Sequence, residues 1–108
     1  TYPAPIDELN LNCIKTLKEK FNCEVGYSGH EYGLVTTFAA VAMGSKWIER
    51  HITLDRSMWG SDHSSSIEPS GLFKLVKGIR AIGDATNHPP SERILFPGEL
   101  KKKQSLRK

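Results

Sequence analysis

Apolar residues recur at three- and four-residue intervals in three stretches of the chain, which is the spacing of amphipathic helices. The first stretch follows a Pro3/Pro5 turn and carries Asp7 and Glu8 in its first turn, where acidic groups suit the helix dipole. Its apolar positions are Ile6, Leu9, Cys13, Ile14, Leu17 and Phe21. The pattern predicts an amphipathic helix over residues 6–21.

Two further helices are predicted at residues 34–43 and 69–82. The first is rich in small and apolar residues and stops at Gly44. The second begins at Pro69, which fits a first helical position, and Gly83 fits the position that follows the last turn. Both helices present an apolar face, so both are expected to pack against a sheet.

Two short β-like segments, residues 23–28 and 46–53, lie between the helices. Strands separated by crossover helices pair in parallel, so the chain is predicted to have an α/β fold. Two strands cannot cover three helices, and we therefore expect the sheet to continue outside this chain, as it does in a fragment of a larger domain. The loop at residues 54–68 is long for such a unit, and long loops are commonly functional.

The composition is typical of a soluble globular protein, with 38% hydrophobic and 25% charged residues and no apolar run near the roughly 18 residues that span a bilayer. The net charge of +3 is concentrated in the last residues, without interleaved aromatics, as in a solvated tail. Cys13 and Cys23 have no CxxC spacing and are expected to be buried thiols. We expect a cytoplasmic protein that binds neither nucleic acid nor membrane.

Period-two alternation places polar side chains on one side of both predicted strands. The opposite side is mainly apolar, with Arg50 as an exception. The polar side consists of Glu24, Gly26, Ser28 and His30 in the first strand line and Trp47, Glu49, His51 and Thr53 in the second. His30 and His51 lie at the carboxyl ends of the strands, where the active sites of (β/α)8 barrels are built.

If the strands are neighbours, about 4.8 Å apart, His30 and His51 can each place a ring nitrogen about 2.1 Å from one divalent metal. Such a metal would polarise a carbonyl or activate water. The alternative is a pair of neutral histidines that bond to the backbone or to Glu49.

In the loop, Asp62 is interpreted as a residue that accepts hydrogen bonds from sugar hydroxyls or as a turn residue. His63 is interpreted as a third metal ligand or as an exposed side chain.

Trp59, in the same loop, is interpreted as a lid aromatic or a packing anchor.

Four blocks of the sequence carry a resemblance to a known family: TYPAP at the start, GYSGHEYG, AAVAMGSKWIERHITLD, and GSDHSSSIEP before the last helix. In order and spacing they resemble the sialic acid synthase (N-acetylneuraminate synthase) family of phosphoenolpyruvate-dependent enzymes. The resemblance covers nearly the whole chain.

The resemblance implies that residues 1–84 are the last βα units of a (β/α)8 TIM barrel, and we expect residues 85–108 to form an irregular tail. It implies that His30 and His51 bind Mn²⁺ or Mg²⁺ and serve catalysis. It further implies substrate-binding roles for three residues. These are Ser28 at the phosphoenolpyruvate phosphate, Tyr2 in the sugar site, and Asp62 on the acceptor sugar.

The implied reaction condenses phosphoenolpyruvate with the open-chain aldehyde of an N-acetylmannosamine-type amino sugar, giving a nine-carbon α-keto acid and phosphate. A diacetamido acceptor, giving legionaminic or pseudaminic acid, is an open alternative. The lysines, asparagines and carboxylate that the family supplies from earlier strands are absent, so the isolated chain is expected to be inactive, and its full-length parent to be a homodimer. A hypothesis of another class is a non-catalytic half-barrel that binds sugar or a protein through its exposed strand edges.

Overall fold

The computed structural model of the chain describes residues 3–60, 65–87 and 95–106. Helices and strands alternate along it as far as the helix that begins at Pro69, as the sequence predicts. The elements are a 3₁₀ turn Ile6–Glu8, then α1 (Cys13–Phe21), β1 (Gly26–Gly29), α2 (Val35–Ala42), β2 (Trp47–Arg50), α3 (Pro69–Ala85) and α4 (Pro97–Leu106). This order is that of an α/β fold, which confirms the predicted fold class at that level.

The two strands pair in parallel, with Gly26 opposite Trp47 and Gly29 opposite Arg50. Helix α2 is the crossover that joins them, and it packs on both β1 and α3. The pairing extends one step before the strands, where the Lys46 N–H donates to the Val25 carbonyl at 2.8 Å. The predicted parallel pairing is therefore confirmed, and it brings the carboxyl ends of both strands to the same edge.

The prediction of one helix over residues 6–21 is wrong, because the chain breaks at Asn10. This residue has a left-handed backbone with φ of 48°, which cannot continue a right-handed helix and which asparagine tolerates better than most residues. Its side-chain amide donates to the Cys13 thiol at 2.9 Å across the break. Cys13 and Cys23 are both exposed, so the expectation of buried thiols is also wrong: one begins α1 and the other lies in the turn after it.

Helix α3 extends three residues beyond the predicted end at residue 82. Gly83 has no positive φ and stays helical, and the helix is closed instead by Thr86, whose N–H and Oγ1 both donate to the Ile82 carbonyl, at 2.9 and 2.7 Å. The segment 85–108 is not irregular throughout, since it contains α4. Pro97 at the first helical position and Glu99 in the first turn favour that helix.

Few apolar side chains are buried in the described part of the chain; they are Ile14, Ala40, Ile67 and Leu75. By contrast, Val35, Leu54 and Phe73 are each more than 80% exposed. Apolar exposure of this extent is typical of surfaces that contact further protein. No helix among the described residues is both long enough and apolar enough to cross a membrane.

The loop after β2 is held together at its two ends. Ile52 and Ile67 form an isolated parallel bridge, in which the Ile67 N–H donates to the His51 carbonyl at 2.7 Å and the Thr53 N–H donates to the Ile67 carbonyl at 3.0 Å. The chain therefore returns to the end of β2 before α3 begins.

Candidate functional site

The structure brings His30 and His51 together. Ser28 lies opposite Glu49 and Gly29 opposite Arg50 in the sheet register, so the two histidines follow at the next step of neighbouring strands. Their ring centroids are 5.1 Å apart, and the ring planes are inclined by 63°. The proximity expected from the sequence is present in the structure.

Ser28 and Glu49 extend this cluster toward the middle of the strands. The Ser28 hydroxyl donates to Glu49 Oε1 at 2.8 Å and lies 3.4 Å from His30 Nε2. Both residues are exposed on the polar side of the sheet. Glu49 was not predicted as a site residue, although its place in the alternation, level with Ser28, was a sufficient signal. We call Ser28, His30, Glu49 and His51 the strand-end cluster.

On the opposite side of the sheet, a second polar group is buried behind the strand-end cluster. Arg50 and Glu31 have side-chain exposures of 3% and 0%, and Arg50 Nη1 lies 3.9 Å from Glu31 Oε2. That same carboxylate oxygen accepts hydrogen bonds from the hydroxyls of Thr36 at 2.5 Å and Thr37 at 2.9 Å. Arg50, the charged residue on the otherwise apolar side, is therefore one half of a buried ion pair. The sequence analysis did not predict this pair.

The guanidinium of Arg50 also binds backbone carbonyls on both sides of the site. Nη1 donates to the Gly33 carbonyl at 2.7 Å and to Thr37 Oγ1 at 3.0 Å. Nη2 donates to the Glu31 carbonyl at 2.8 Å and to the Ser65 carbonyl at 3.1 Å. One side chain thus links the segment after β1, the first turn of α2 and the segment that precedes α3.

Burial and charge set the ionisation of this group. Burial alone would raise the pKa of Glu31, but hydrogen bonds from Thr36, from its own backbone N–H and from Thr37, together with the charge of Arg50, hold that pKa below its ordinary value. The neighbouring Tyr27 hydroxyl has a raised pKa, because of burial and because of the negative charge on Glu31. The pair is therefore ionised at neutral pH beside a neutral tyrosine.

Gly29, between Ser28 and His30, leaves the space that the ion pair fills. A Cβ at this position would lie 2.5 Å from Glu31 Oε1 and 2.8 Å from both Arg50 Cδ and Tyr27 Cε2. Because these side chains are held by their neighbours, any larger residue here would displace the pair. Gly29, the second glycine of the GYSGHEYG motif, is thus favoured by the packing around it.

Several predicted site residues are not near the cluster or lie outside the described residues. Tyr2, Asp62 and His63 lie outside the described residues, so their roles remain predictions. Trp59 is fully exposed in this chain, so both interpretations of its role, a lid aromatic and a packing anchor, remain predictions. In the same loop, Arg56 Nε and Glu68 Oε1 form an ion pair at 3.0 Å with side-chain exposures of 52% and 35%.

Within residues 3–60, 65–87 and 95–106, no group of three or more histidine, cysteine, aspartate or glutamate side chains could hold a metal ion. Two adjacent imidazoles are nevertheless a donor pair that divalent transition metals accept, with water or substrate oxygens in the remaining positions. The His30 and His51 imidazoles therefore fit a divalent metal as two of its ligands, and the described residues would leave its other positions open.

A parallel α/β unit with imidazole, hydroxyl and carboxylate groups at the carboxyl ends of its strands is typical of the enzymes built on such sheets. The family model of the NeuB family matches residues 1–89, and the chain belongs to that family. The predicted resemblance to the sialic acid synthases is thereby confirmed.

Two sequences and one structure show how close the similarity is. The chain is 42% identical to human N-acetylneuraminate-9-phosphate synthase over 108 residues, which is 99% of this chain and 30% of that protein. It is 48% identical to the N,N'-diacetyllegionaminic acid synthase of Campylobacter jejuni over 84 residues, 78% of this chain and 25% of that protein. It superimposes on the N-acetylneuraminic acid synthetase of Leptospira borgpetersenii with a TM-score of 0.82 and 34% identity, covering 99% of this chain and 37% of that one.

Proposed function

We propose that this chain is the C-terminal part of a (β/α)8 barrel that condenses phosphoenolpyruvate with an N-acetylated amino sugar to form a nine-carbon α-keto acid. The observation that carries the proposal is the strand-end cluster, with two imidazole rings 5.1 Å apart beside a serine hydroxyl and a carboxylate. Membership of the NeuB family supports the same class of chemistry. The chain spans 25% to 37% of the length of these relatives, so the activity is proposed for the protein that contains it.

His30 and His51 would hold the divalent metal, Mn²⁺ or Mg²⁺, which supplies polarisation of the acceptor aldehyde oxygen when it is bound. C3 of phosphoenolpyruvate attacks the aldehyde carbon, water adds at C2, and phosphate leaves by C–O cleavage. The residues of this chain bind and orient the two substrates, which converts an encounter of two molecules into a reaction within one complex.

Ser28 is proposed to contact the phosphate of phosphoenolpyruvate. Its hydroxyl hydrogen is directed at Glu49 Oε1, so it must rotate away from that carboxylate to donate to a phosphate oxygen. The negative charge of Glu49 would also repel the phosphate, and cationic groups from outside this chain must offset it. Tyr2 and Asp62 are proposed to line the acceptor site, where aspartate accepts hydrogen bonds from sugar hydroxyls.

Phosphate release by the protein that contains this chain tests the proposal, with phosphoenolpyruvate, Mn²⁺ and N-acetylmannosamine as reactants. His30→Ala and His51→Ala are each expected to lower kcat/KM by about 100-fold or more, since each removes a direct ligand rather than an outer partner. Lys77→Ala on the exposed face of α3 is the matched control and should keep full activity. Activity that survives both histidine substitutions would overturn the metal assignment.

The acceptor is decided by running the same assay with alternative sugars. The 6-phosphate of N-acetylmannosamine and a diacetamido sugar correspond to the products named for relatives that are 42% and 48% identical to this chain, and N-acetylmannosamine to the product named for a solved structure that is 34% identical, so these identities do not discriminate. Release with none of them would favour the non-catalytic half-barrel, and the isolated 108 residues are expected to release none.

A further inference from the structure

We propose that the buried Glu31–Arg50 ion pair is a positioning pair that sets the distance and angle between the His30 and His51 rings. The inference rests on the proposed function, because it assigns the pair a task at the proposed metal site. Neither residue belongs to the strand-end cluster, and both lie on the opposite side of the sheet.

The first argument is adjacency along the chain. Glu31 directly follows His30, and Arg50 directly precedes His51. Arg50 Nη2 donates to the main-chain carbonyl of Glu31 at 2.8 Å, while Nη1 lies 3.9 Å from its carboxylate. A shift of the backbone at either residue would therefore move the neighbouring histidine, and the ion pair couples the two shifts.

The second argument is that the sheet itself ends before the histidines. β1 stops at Gly29 and β2 at Arg50, and beyond them the His30 carbonyl accepts from the Ala4 N–H at 2.8 Å and the His51 carbonyl accepts from the Ile67 N–H at 2.7 Å. The guanidinium of Arg50 joins the two chain segments directly, by binding carbonyls at Glu31, Gly33 and Ser65, at 2.8, 2.7 and 3.1 Å. These bonds fix the backbone that leaves β1 relative to the backbone that leaves β2.

The third argument is energetic. A buried ion pair adds little to stability, because the loss of hydration offsets the attraction, and well-packed apolar side chains often serve as well or better. The planar fork of arginine, which fixes several acceptors in one plane, supplies geometry instead. The hydroxyls of Thr36 and Thr37 hold the carboxylate in a single orientation.

The test removes the pair while its volume is kept. In the protein that contains this chain, Glu31→Met/Arg50→Met is compared with wild type for urea unfolding, for Mn²⁺ affinity by electron paramagnetic resonance, and for the visible spectrum of bound Co²⁺. We expect folding to persist, with Mn²⁺ affinity about 10-fold weaker or more and an altered Co²⁺ spectrum. The matched control is Arg56→Met/Glu68→Met, which removes an exposed ion pair and should leave both metal readouts unchanged.

Arg50→Lys keeps the positive charge but loses the planar, forked guanidinium. It is the second variant for this test if Glu31→Met/Arg50→Met does not fold. It is expected to weaken Mn²⁺ binding as well. Wild-type affinity and spectrum in a folded Glu31→Met/Arg50→Met or Arg50→Lys variant would overturn the positioning role.

The wild-type protein separates this inference from the proposed function. Wild type that binds Mn²⁺ but releases no phosphate would refute the reaction, and the pair would still be judged by the metal readouts. Wild type that binds no Mn²⁺ would refute the metal site. The imidazole ¹⁵N signals of His30 and His51, compared between wild type and the double variant, would then decide whether the ion pair positions the two rings. Unchanged signals in the double variant would overturn the role of the pair.

Discussion

Helix α3 contains two glycines at which the same substitution is expected to have opposite effects. A Cβ at Gly78 would lie directly against the Phe38 ring of α2, only 3.3 Å from Cδ1 and closer still to Cε1 and Cζ. A Cβ at Gly83 would meet nothing within 4 Å. Gly78→Ala therefore tests the packing of α2 on α3, and Gly83→Ala in the same helix is its control.

The magnitudes follow from two opposing effects. Alanine in place of glycine inside a helix gains about 0.8–1.0 kcal/mol at either position. At Gly78 the overlap with Phe38 costs about 1–3 kcal/mol, because overpacking displaces neighbouring side chains. Gly83→Ala should raise the free energy of unfolding, and Gly78→Ala should leave it unchanged or lower it by up to about 2 kcal/mol.

Urea unfolding followed by far-ultraviolet circular dichroism measures both changes, provided that the slope with denaturant stays constant. Phe38→Leu removes the ring, so Gly78→Ala made in that background should regain the stabilisation seen at Gly83. If Gly78→Ala and Gly83→Ala stabilise wild type equally, the contact between α2 and α3 is not the one described.

Two further predictions concern Glu31 and Trp59. The pKa of Glu31 is below its ordinary value of 4.5 in the folded protein, so its stabilising contribution is complete above that value and is lost as the pH falls through the lowered pKa. Urea midpoints measured from neutral into acid pH should therefore fall more steeply for wild type than for Glu31→Gln; parallel curves would contradict the assignment. Trp59 is fully exposed, so Trp59→Ala should change the free energy of unfolding by no more than about 0.5 kcal/mol, and a larger loss in the same assay would show a contact that the structure lacks.

Much of the fold could be predicted because its signals are local. Helical and strand periodicity in the sequence give the order of elements, and crossover connections imply the parallel pairing of β1 with β2. Alternation along the strands places Ser28, His30 and His51 on one side of the sheet, because successive side chains of any β-strand point to opposite sides. Three details differ: the left-handed Asn10 splits the first predicted helix, Thr86 closes α3 three residues later than predicted, and α4 lies in the segment predicted to be irregular.

The buried pair could not be predicted in the same way. Its geometry depends on the path of residues 30–34 after β1, a segment without periodicity, and on the approach of Ser65 from far along the chain. A signal was nevertheless present. Arg50 lies on an otherwise apolar side of its strand, and a buried charge there needs a partner of opposite charge. Glu31, just after the end of the neighbouring strand, was a candidate for that partner.

The bridge between Ile52 and Ile67 has a consequence for how this segment can change over evolutionary time. Because the two ends of the intervening loop are tied to each other, a longer or shorter loop need not move β2 or α3. Doubling the length of a flexible loop costs only about 0.6 kcal/mol of closure entropy. Insertions and deletions are thus inexpensive for folding here, while Ile67 at the base of the loop is buried and remains under packing constraint.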